Sequence, residues 1–498
     1  MNVNPITRLD YPDPDVIRVE DTYYMVSTTM HFMPGCEILQ SFDLVHWEHV
    51  TYVYETLDHT DAQQLKSGQN IYGQGMWAAS LRYHEGRFYI CFVANDTRKT
   101  YLYTSEKIDG PWKKQLIEGF YHDGSLLFDE DGRNYIVYGN DEIWITELNE
   151  DLTAPKKDGL HRLLVSDHKN PELGYEGSHI QKINGYYYIF LVHSLRDRWM
   201  RTEACFYSDS LEGEFTGGDV LCDDRGYCGQ GVAQGGIVDT PDGKWYAMLF
   251  QDSGAVGRIP ILVPVTWKDH FPFFGQNGHV PEEIEVHSTR PGYIYQPLVG
   301  SDDFCNGLLP RWQFNHDPDP RYYHLDALQG TYTITTREVC TELTQAVNTL
   351  TQRMSYPSCA AEVTVDASAL KEGDVAGLCA LQGCYAAVGI TKHHGKYEVL
   401  MLDKKEDGIL DMTERTVVES HQMDFRLEAD FCNMKDEARC YYRVNKGDWL
   451  PIGTVHKLYF KLDHFTGCRF GLFCYAAEET GGSACFRDFK YYDVDEIS

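Results

Sequence analysis

The chain has 498 residues, of which 43% are hydrophobic and 24% are charged, so it is long enough for two or three domains with ordinary cores. Its 44 Lys and Arg residues against 75 Asp and Glu residues give a formal net charge of −31. Nucleic acid and anionic membranes repel such a surface, so neither is expected as a partner. The 13% of aromatic residues and the 43 glycines favour strands joined by tight turns.

The fifteen cysteines lie mostly in apolar runs, and none forms a Cys-x-x-Cys motif. The stretch 1–5 lacks a basic region followed by an apolar segment, and no apolar run approaches the roughly 20 residues that span a bilayer. These features predict a cytoplasmic protein with reduced, buried thiols. Cys222 and Cys228 are interpreted as free thiols of a surface loop rather than as metal ligands or a disulfide.

Five segments of the first half share one pattern of a special residue, a short apolar strand, a turn and an aromatic-rich strand. They read PDPDVIRVEDTYYMVS, MWAASLRYHEGRFYICF, HDGSLLFDEDGRNYIVYG, YEGSHIQKINGYYYIFLV and AQGGIVDTPDGKWYAMLF. Four of the turns are an acid or Asn followed by Gly, and the first is placed at Asp21-Thr22; such turns between apolar strands are a strong hairpin signal. Spacings of about 45–65 residues leave room for four strands per repeat, which predicts a five-bladed β-propeller.

One residue lies eight positions before the turn in every repeat. These residues are Asp13, Trp77, Asp123, Glu176 and Gln234. Because the first strand of a propeller blade lines the central axis, the shared register predicts that the five side chains converge at one mouth of the funnel.

Asp13, Asp123 and Glu176 therefore form a predicted set of three carboxylates. Glycoside hydrolysis needs one carboxyl group to protonate the leaving oxygen and one carboxylate to activate water or attack the sugar. A third carboxylate keeps the acid protonated by like-charge repulsion. The alternatives are solvated strand ends and a hard-cation site; the Asp-Thr/Ser-Gly loops of aspartic proteases are absent.

The pattern changes around residues 291–303, which read as a linker. We predict a propeller over 1–295 and a second domain over 300–498. The second half contains many short alternating strands without the five-fold pattern, which predicts a β-sandwich. It is expected to pack on the propeller and close one side of the pocket, with Glu478–Ser483 as a candidate contributor.

Several motifs resemble family 43 of the glycoside hydrolases. They are Asp13-Pro14, Asp-Gly-Ser-Leu at 123–126, Glu-Gly-Ser-His at 176–179, GRIPILVPVTW at 257–267 and MHFMPGCEILQSFDLVHW at 30–47. The last is similar to the branch of exo-acting β-xylosidases and α-L-arabinofuranosidases, whose second domain is a concanavalin-like jelly roll. The resemblance implies an inverting mechanism with Asp13 as general base, Glu176 as general acid, and Asp123 tuning and orienting the acid.

The resemblance also implies four substrate-binding positions. Trp77 would offer an apolar face to a sugar ring, Arg258 would bind sugar hydroxyls, and Phe32 would wall the pocket. Gln234 stands where many relatives carry a histidine that helps to hold a central ion or water. No cofactor is expected to be required, and calcium at the propeller axis is left open.

The sequence thus predicts an exo-acting, inverting glycosidase that releases terminal α-L-arabinofuranose, β-D-xylose or both. The expected substrates are imported pentose-containing oligosaccharides of arabinoxylan or xyloglucan. The alternatives are a carbohydrate-binding propeller without catalysis, an endo-acting arabinanase and a retaining fructan hydrolase. The last resembles a Trp-x-Asn-Asp-Pro start, which Tyr11-Pro12-Asp13-Pro14 lacks. The oligomeric state stays open.

Overall fold

A computed structural model describes residues 2–493, which are built almost entirely from β-strands. The helical segments in that range are four 3-10 turns of three residues each, Lys66–Gly68, Gly254–Val256, Leu343–Gln345 and Cys432–Met434. No helix within 2–493 is long and apolar enough to cross a membrane. The prediction of an all-β protein is confirmed.

Five antiparallel sheets follow one another along the chain and form the five blades of a β-propeller. Their strands are, in blade I, Asp15–Val19, Thr22–Val26, Gly35–Ser41 and Glu48–Tyr54; in blade II, Met76–His84, Arg87–Ala94, Lys99–Ser105 and Lys113–Ile117; in blade III, Ser125–Phe128, Asn134–Asn140, Glu142–Leu148 and His161–Ser166; in blade IV, Glu176–Ile183, Tyr186–Ser194, Arg201–Ser208 and Thr216–Leu221; and in blade V, Val232–Ala233, Ile237–Asp239, Trp245–Asp252, Arg258–Lys268 and Phe271–Phe274. A further pair, Asn2–Val3 with Glu283–Ile284, joins the start of the chain to the segment after blade V.

The first hairpin of each blade is present, as the repeats predict. The turns Glu85-Gly86 and Asn184-Gly185 each have two consecutive residues with positive φ, the backbone of a tight I′ hairpin. In blade I the turn is one residue earlier than predicted. Thr22 already pairs with Val19, because Glu20 takes the left-handed conformation, with φ of 54°.

The strands of the second half, together with one short strand of the first half, form two facing sheets of eight and seven strands. In sheet order, the first contains Leu410–Val418, Lys396–Lys404, Ala386–His393, Val375–Leu381, Arg469–Tyr475, Leu350–Arg353, Gln313–Asn315 and Phe32–Met33; the second contains Tyr323–Asp326, Thr331–Thr335, Ser483–Asp493, Ser358–Asp366, Gln422–Asp430, Glu437–Arg443 and Leu450–Lys457. Leu378 and Phe470 of the first sheet and Phe425 and Leu427 of the second share one apolar core. This core is what holds the predicted sandwich together.

The two halves are connected by backbone pairing as well as by side chains. Phe32–Met33, which lies within blade I, pairs with Gln313–Asn315 and is the edge strand of the eight-stranded sheet. The predicted division between 295 and 300 lies between the last blade strand and the first sandwich strand of the second half, and it stays a prediction.

All fifteen cysteines are free, and nine of them are buried. Cys222 and Cys228 are exposed and unbonded to each other, as the sequence interpretation has them. The nine buried thiols therefore act as small apolar side chains rather than as cross-links.

Candidate active site

The five predicted positions, one from each blade, line a single cavity of about 870 Å³. They are Asp13, Trp77, Asp123, Glu176 and Gln234. Asp13, Asp123 and Gln234 have φ values of 50°, 48° and 63°, a region that residues with a side chain rarely adopt. Three of the five positions therefore share a backbone conformation as well as a register.

Asp13 is held from two sides. Its Oδ1 accepts a hydrogen bond from Nη1 of Arg258 at 2.9 Å, and its Oδ2 accepts one from the Thr28 hydroxyl at 2.6 Å. The Thr28 oxygen in turn accepts the N–H of Ala78 at 2.8 Å. Only 6% of Asp13 is exposed. A carboxylate fixed in this way is placed to accept a proton from water in the cavity.

Asp123 and His122 form a charged pair beside it. Oδ2 of Asp123 accepts the N–H of Gly177 at 3.0 Å and lies 3.5 Å from Nε2 of His122. Burial raises the pKa of Asp123 to about 6, the His122 cation opposes this, and the charges of Glu176 and Asp13 add to it. The Asp123 charge is the first cause that raises the pKa of His122 to about 9. At neutral pH the imidazole is therefore cationic and the carboxyl mostly ionised.

Glu176, the first residue of blade IV, completes the cluster. Its Oε2 accepts a hydrogen bond from Nδ2 of Asn140 at 2.6 Å and lies 3.5 Å from Nε2 of His122. Its Oε1 has no hydrogen-bond partner among residues 2–493. One polar atom each of His122, Asp123 and Glu176 lies within 4.8 Å of the others. One oxygen is thus anchored, and the other is available to carry a proton toward a ligand.

Arg258 and Trp77 line the cavity and have buried hydrogen-bond donors without a partner in the described part of the chain. Arg258 is 2% exposed, and its Nε and Nη2 are buried without a partner within the described part of the chain. The same holds for Nε1 of Trp77. Because buried donors without a partner are costly, these N–H groups are suited to donate hydrogen bonds to the hydroxyl oxygens of a ligand.

Gln234 packs against the backbone at the foot of Glu176. A Cβ atom at Gly177 would lie 2.7–3.0 Å from side-chain atoms of Gln234, and Gly177 has a φ of +66°. Both facts require glycine at that position. The N–H of Gln234 donates to Oε2 of buried Glu203 at 2.7 Å, and burial raises the pKa of Glu203 well above its usual value.

The sandwich domain supplies one wall of the cavity. The contributing segments are Lys457–Phe465 and the positions Met434 and Asp436. The ring of Phe465 lies 5.4 Å from that of Trp77. The prediction that the sandwich closes one side is confirmed, but the wrong segment was named. Glu478–Ser483 lies elsewhere, where the Lys371 ammonium donates to Thr480 O at 2.7 Å.

Phe32 is also placed elsewhere than the resemblance implies. It is buried and outside the cavity lining, with its ring 3.4 Å from the guanidinium carbon of Arg469 and 4.3 Å from the ring of His31. The reason is that Phe32 belongs to the edge strand of the sandwich sheet. It stabilises the contact between the domains and does not wall the pocket.

The cavity is lined by further polar side chains that were not predicted, among them His122, Asn140 and Arg201. His122 immediately precedes Asp123, so the His-Asp-Gly-Ser motif contained a signal that was not used. Asn140 ends the second strand of blade III, and Arg201 begins the third strand of blade IV. Nothing in their local sequence distinguishes them from other strand ends.

Two family profiles match the chain. The profile described as glycosyl hydrolases family 43 matches residues 3–272, which is more than half of the 498 residues. The chain belongs to glycoside hydrolase family 43. The profile described as β-xylosidase C-terminal concanavalin A-like domain matches residues 301–492 of this family 43 glycosidase.

Named relatives and a solved structure are similar to this chain over most or all of its length. A β-xylosidase of Formosa agariphila is 27% identical over 99% of this chain and 89% of its own length. A non-reducing-end α-L-arabinofuranosidase of Bacteroides ovatus is 26% identical over 66% of this chain and 63% of its own. The solved structure of a bifunctional GH43-CE protein of Bacteroides eggerthii is 42% identical, with a TM-score of 0.93 over all of this chain. This glycosidase spans only 64% of that protein.

The propeller axis, where calcium was left open, contains only a small space. The space between Asp13, Asp123, Ser178, His179 and Gln234 is about 10 Å³, which is room for about one water molecule. Calcium takes six to eight oxygen ligands, whereas His179 has only ring nitrogens, and its Nδ1 is already hydrogen-bonded to Oδ1 of Asp15 at 3.0 Å. These residues do not fit a calcium cage.

Proposed function

We propose that this family 43 enzyme is an exo-acting, inverting glycosidase that releases terminal α-L-arabinofuranose, β-D-xylose or both from oligosaccharides of arabinoxylan or xyloglucan. The single observation that carries the proposal is the set of Asp13, Asp123 and Glu176 in one cavity with a wall from the second domain. A wall across the cavity favours binding of a chain end over a long continuous chain. The names of the two relatives support a terminal pentose.

In the proposed reaction Asp13 takes a proton from a water molecule, whose oxygen attacks the anomeric carbon. Glu176 gives its proton to the glycosidic oxygen as the bond from that oxygen to the anomeric carbon breaks. The new hydroxyl is on the opposite face of the sugar, so configuration is inverted. Glu176 is left ionised and regains a proton from solvent, and the protonated Asp13 releases its proton to solvent.

The neighbouring groups support this division of roles. Arg258 and Thr28 hold both oxygens of Asp13, so the base is oriented before substrate binds. Asp123 lies in the same cluster as Glu176 and is proposed to orient it, and Asn140 fixes the oxygen of Glu176 that does not carry the proton. Trp77 and the unpartnered N–H groups of Arg258 are proposed to hold the sugar ring.

Hydrolysis of the nitrophenyl α-L-arabinofuranoside and β-D-xyloside by the pure protein tests the proposal. Release of nitrophenol from at least one is expected, with inverted configuration in an NMR time course of the released sugar. Activity on neither, together with cleavage of long arabinan, would replace the exo-acting function with an endo-acting one. Retention of configuration would overturn the inverting mechanism.

We also propose that the enzyme works in the cytoplasm on imported oligosaccharides. Fifteen free thiols suit a reducing compartment, and polymeric hemicellulose would not reach an enzyme there. Fractionation of the native cells tests this: activity in the soluble cell extract is expected, and activity in the medium would contradict it.

A further inference from the structure

The mouth of the active-site cavity contains an exposed tryptophan. Of the nine tryptophans, all within the described residues, only Trp199 is more than a third exposed, at 42%. It lies in the loop between the second and third strands of blade IV and lines the cavity. A tryptophan in contact with water loses the favourable free energy of burying its large apolar surface. Its position at the cavity therefore suits stacking against a ligand.

The ring of Trp199 is supported from below. The guanidinium carbon of Arg201 lies 5.2 Å from the Trp199 ring and 5.1 Å from the Phe250 ring. Nε of Arg201 also donates to Oδ2 of Asp252 at 2.9 Å. Arg201 is itself buried. A cation fixed by an ion pair and a second ring therefore supports Trp199, which lowers the entropy lost when a ligand stacks on it.

A second exposed apolar side chain comes from the other domain. Leu462 is 70% exposed and lines the same cavity. Its backbone is close to the propeller, because a Cβ atom at Gly73 would lie 2.3 Å from the Leu462 carbonyl oxygen. The loop is therefore anchored while its leucine side chain remains in solvent.

Polarity changes with depth in the cavity. Asp13 and Asp123, at the reacting end, are 6% exposed, whereas Trp199 and Leu462 are 42% and 70% exposed. The sugar to be released must reach the buried carboxylates, so the group on the other side of the scissile bond lies toward solvent. A pyranose chair has a flat face of C–H groups that stacks on an indole ring, and a puckered furanose offers a poorer one.

Resting on the function proposed above, we propose that Trp199 and Leu462 form the binding site for the sugar on the leaving-group side, and that this site selects a neutral pyranose such as a xylose residue of a hemicellulose backbone. Trp199 is the stacking platform, and Leu462 covers the sugar from the sandwich side. These two residues set the preference of the enzyme for oligosaccharides over simple glycosides.

The test compares two substrates that release the same sugar. They are a methyl pentoside, which has no leaving-group sugar, and an oligosaccharide in which that pentose is attached to xylose units. If xylose is released, the pair is methyl β-D-xyloside and xylotriose. If arabinofuranose is released, the pair is methyl α-L-arabinofuranoside and arabinofuranosyl-xylotriose. The readout is the ratio of kcat/KM for the oligosaccharide to kcat/KM for the methyl glycoside.

Trp199→Ala is expected to lower this ratio about tenfold, mainly through KM, and Leu462→Ala about threefold. Trp199→Phe should restore much of the loss, because a ring remains. Tyr83→Ala and Leu328→Ala remove side chains that are 44% and 95% exposed and lie outside this cavity, and they should leave the ratio unchanged.

An unchanged ratio in Trp199→Ala and Leu462→Ala would overturn the inference. So would an equal fall in Tyr83→Ala. Failure of the proposed function looks different, since the unaltered enzyme would then hydrolyse neither substrate of either pair.

Discussion

The ring of Phe465, in the sandwich domain, lies 4.3 Å from the guanidinium carbon of Arg258, in the propeller. Nη1 of the same arginine donates to Asp13 at 2.9 Å. The second domain thus contacts, through one arginine, the carboxylate that is proposed to activate water. Removal of the sandwich side of the cavity should therefore affect catalysis and not only substrate access.

Phe465→Ala is expected to lower kcat/KM about tenfold or more, because a desolvated cation–π contact is worth up to about 2 kcal/mol and the contact with Trp77 is lost as well. Steady-state kinetics and the melting temperature are the measurements. Phe273→Ala is the control, since Phe273 is half exposed on the last strand of blade V, outside the cavity. Unchanged kinetics in Phe465→Ala would show that the arginine is positioned without the sandwich domain.

Glu176→Gln should lower kcat by about 10²–10⁴-fold, the usual contribution of a general acid. The loss should be smaller for a nitrophenyl leaving group than for a sugar, because a good leaving group needs less protonation. Glu130→Gln, at a largely exposed carboxylate, should be inert. Equal losses on both leaving groups would argue against Glu176 as the acid. If the unaltered protein binds the sugars but hydrolyses none of them, and Glu176→Gln binds them equally well, a carbohydrate-binding propeller would be favoured.

His122→Gln should move the acidic limb of the kcat/KM profile to higher pH. The His122 cation lowers the pKa of Asp123, which is about 6 with the histidine in place. Without the cation, Asp123 stays protonated to higher pH, and the cluster then lacks one of its carboxylate charges. The measurement is kcat/KM from pH 4 to 9, with His168→Gln, at an exposed histidine, as control. A limb that stays in place or moves to lower pH would contradict the role of this pair.

Acid stability should depend on three buried histidines between the domains. The rings of His31 and His316 lie 4.8 Å apart, and those of His31 and His464 lie 5.9 Å apart. Burial lowers the pKa of all three, that of His464 to about 4. The unfolded chain therefore binds more protons below about pH 6.5, and the free energy of unfolding falls as the pH drops from there.

His31→Phe should flatten this dependence. For each buried histidine that stays neutral, the free energy of unfolding falls by up to about 1.4 kcal/mol per pH unit below the pKa of the unfolded chain. Phenylalanine does not titrate and makes no such contribution. The ring is expected to be tolerated because His31 already packs against Phe32 and Tyr72. The measurement is the urea midpoint at pH 7 and pH 5. His394→Phe, at an exposed position, should keep the native slope; an equal slope in both variants would contradict the prediction.

The sequence by itself determined the blades and the register of the reacting groups. Each first hairpin pairs residues that are only a few positions apart, so its turn and its apolar alternation depend on the local sequence. The same local pattern recurs five times. That recurrence was sufficient to bring Asp13, Asp123 and Glu176 to one cavity. The alternating strands of the second half were likewise visible as a sandwich.

Only the tertiary structure decided what surrounds those carboxylates. Arg258 and Asp13 are 245 residues apart, and Phe465 and Trp77 are farther apart still. Neither contact has a local sequence signal: the first forms where blade V closes against blade I, and the second forms where the sandwich packs on the propeller. The same packing moved Phe32 out of the pocket into a sandwich strand, and it placed Trp199 and Leu462 at one mouth. Hairpin geometry is determined by neighbouring residues, whereas the wall of this site is determined by the contact between the domains.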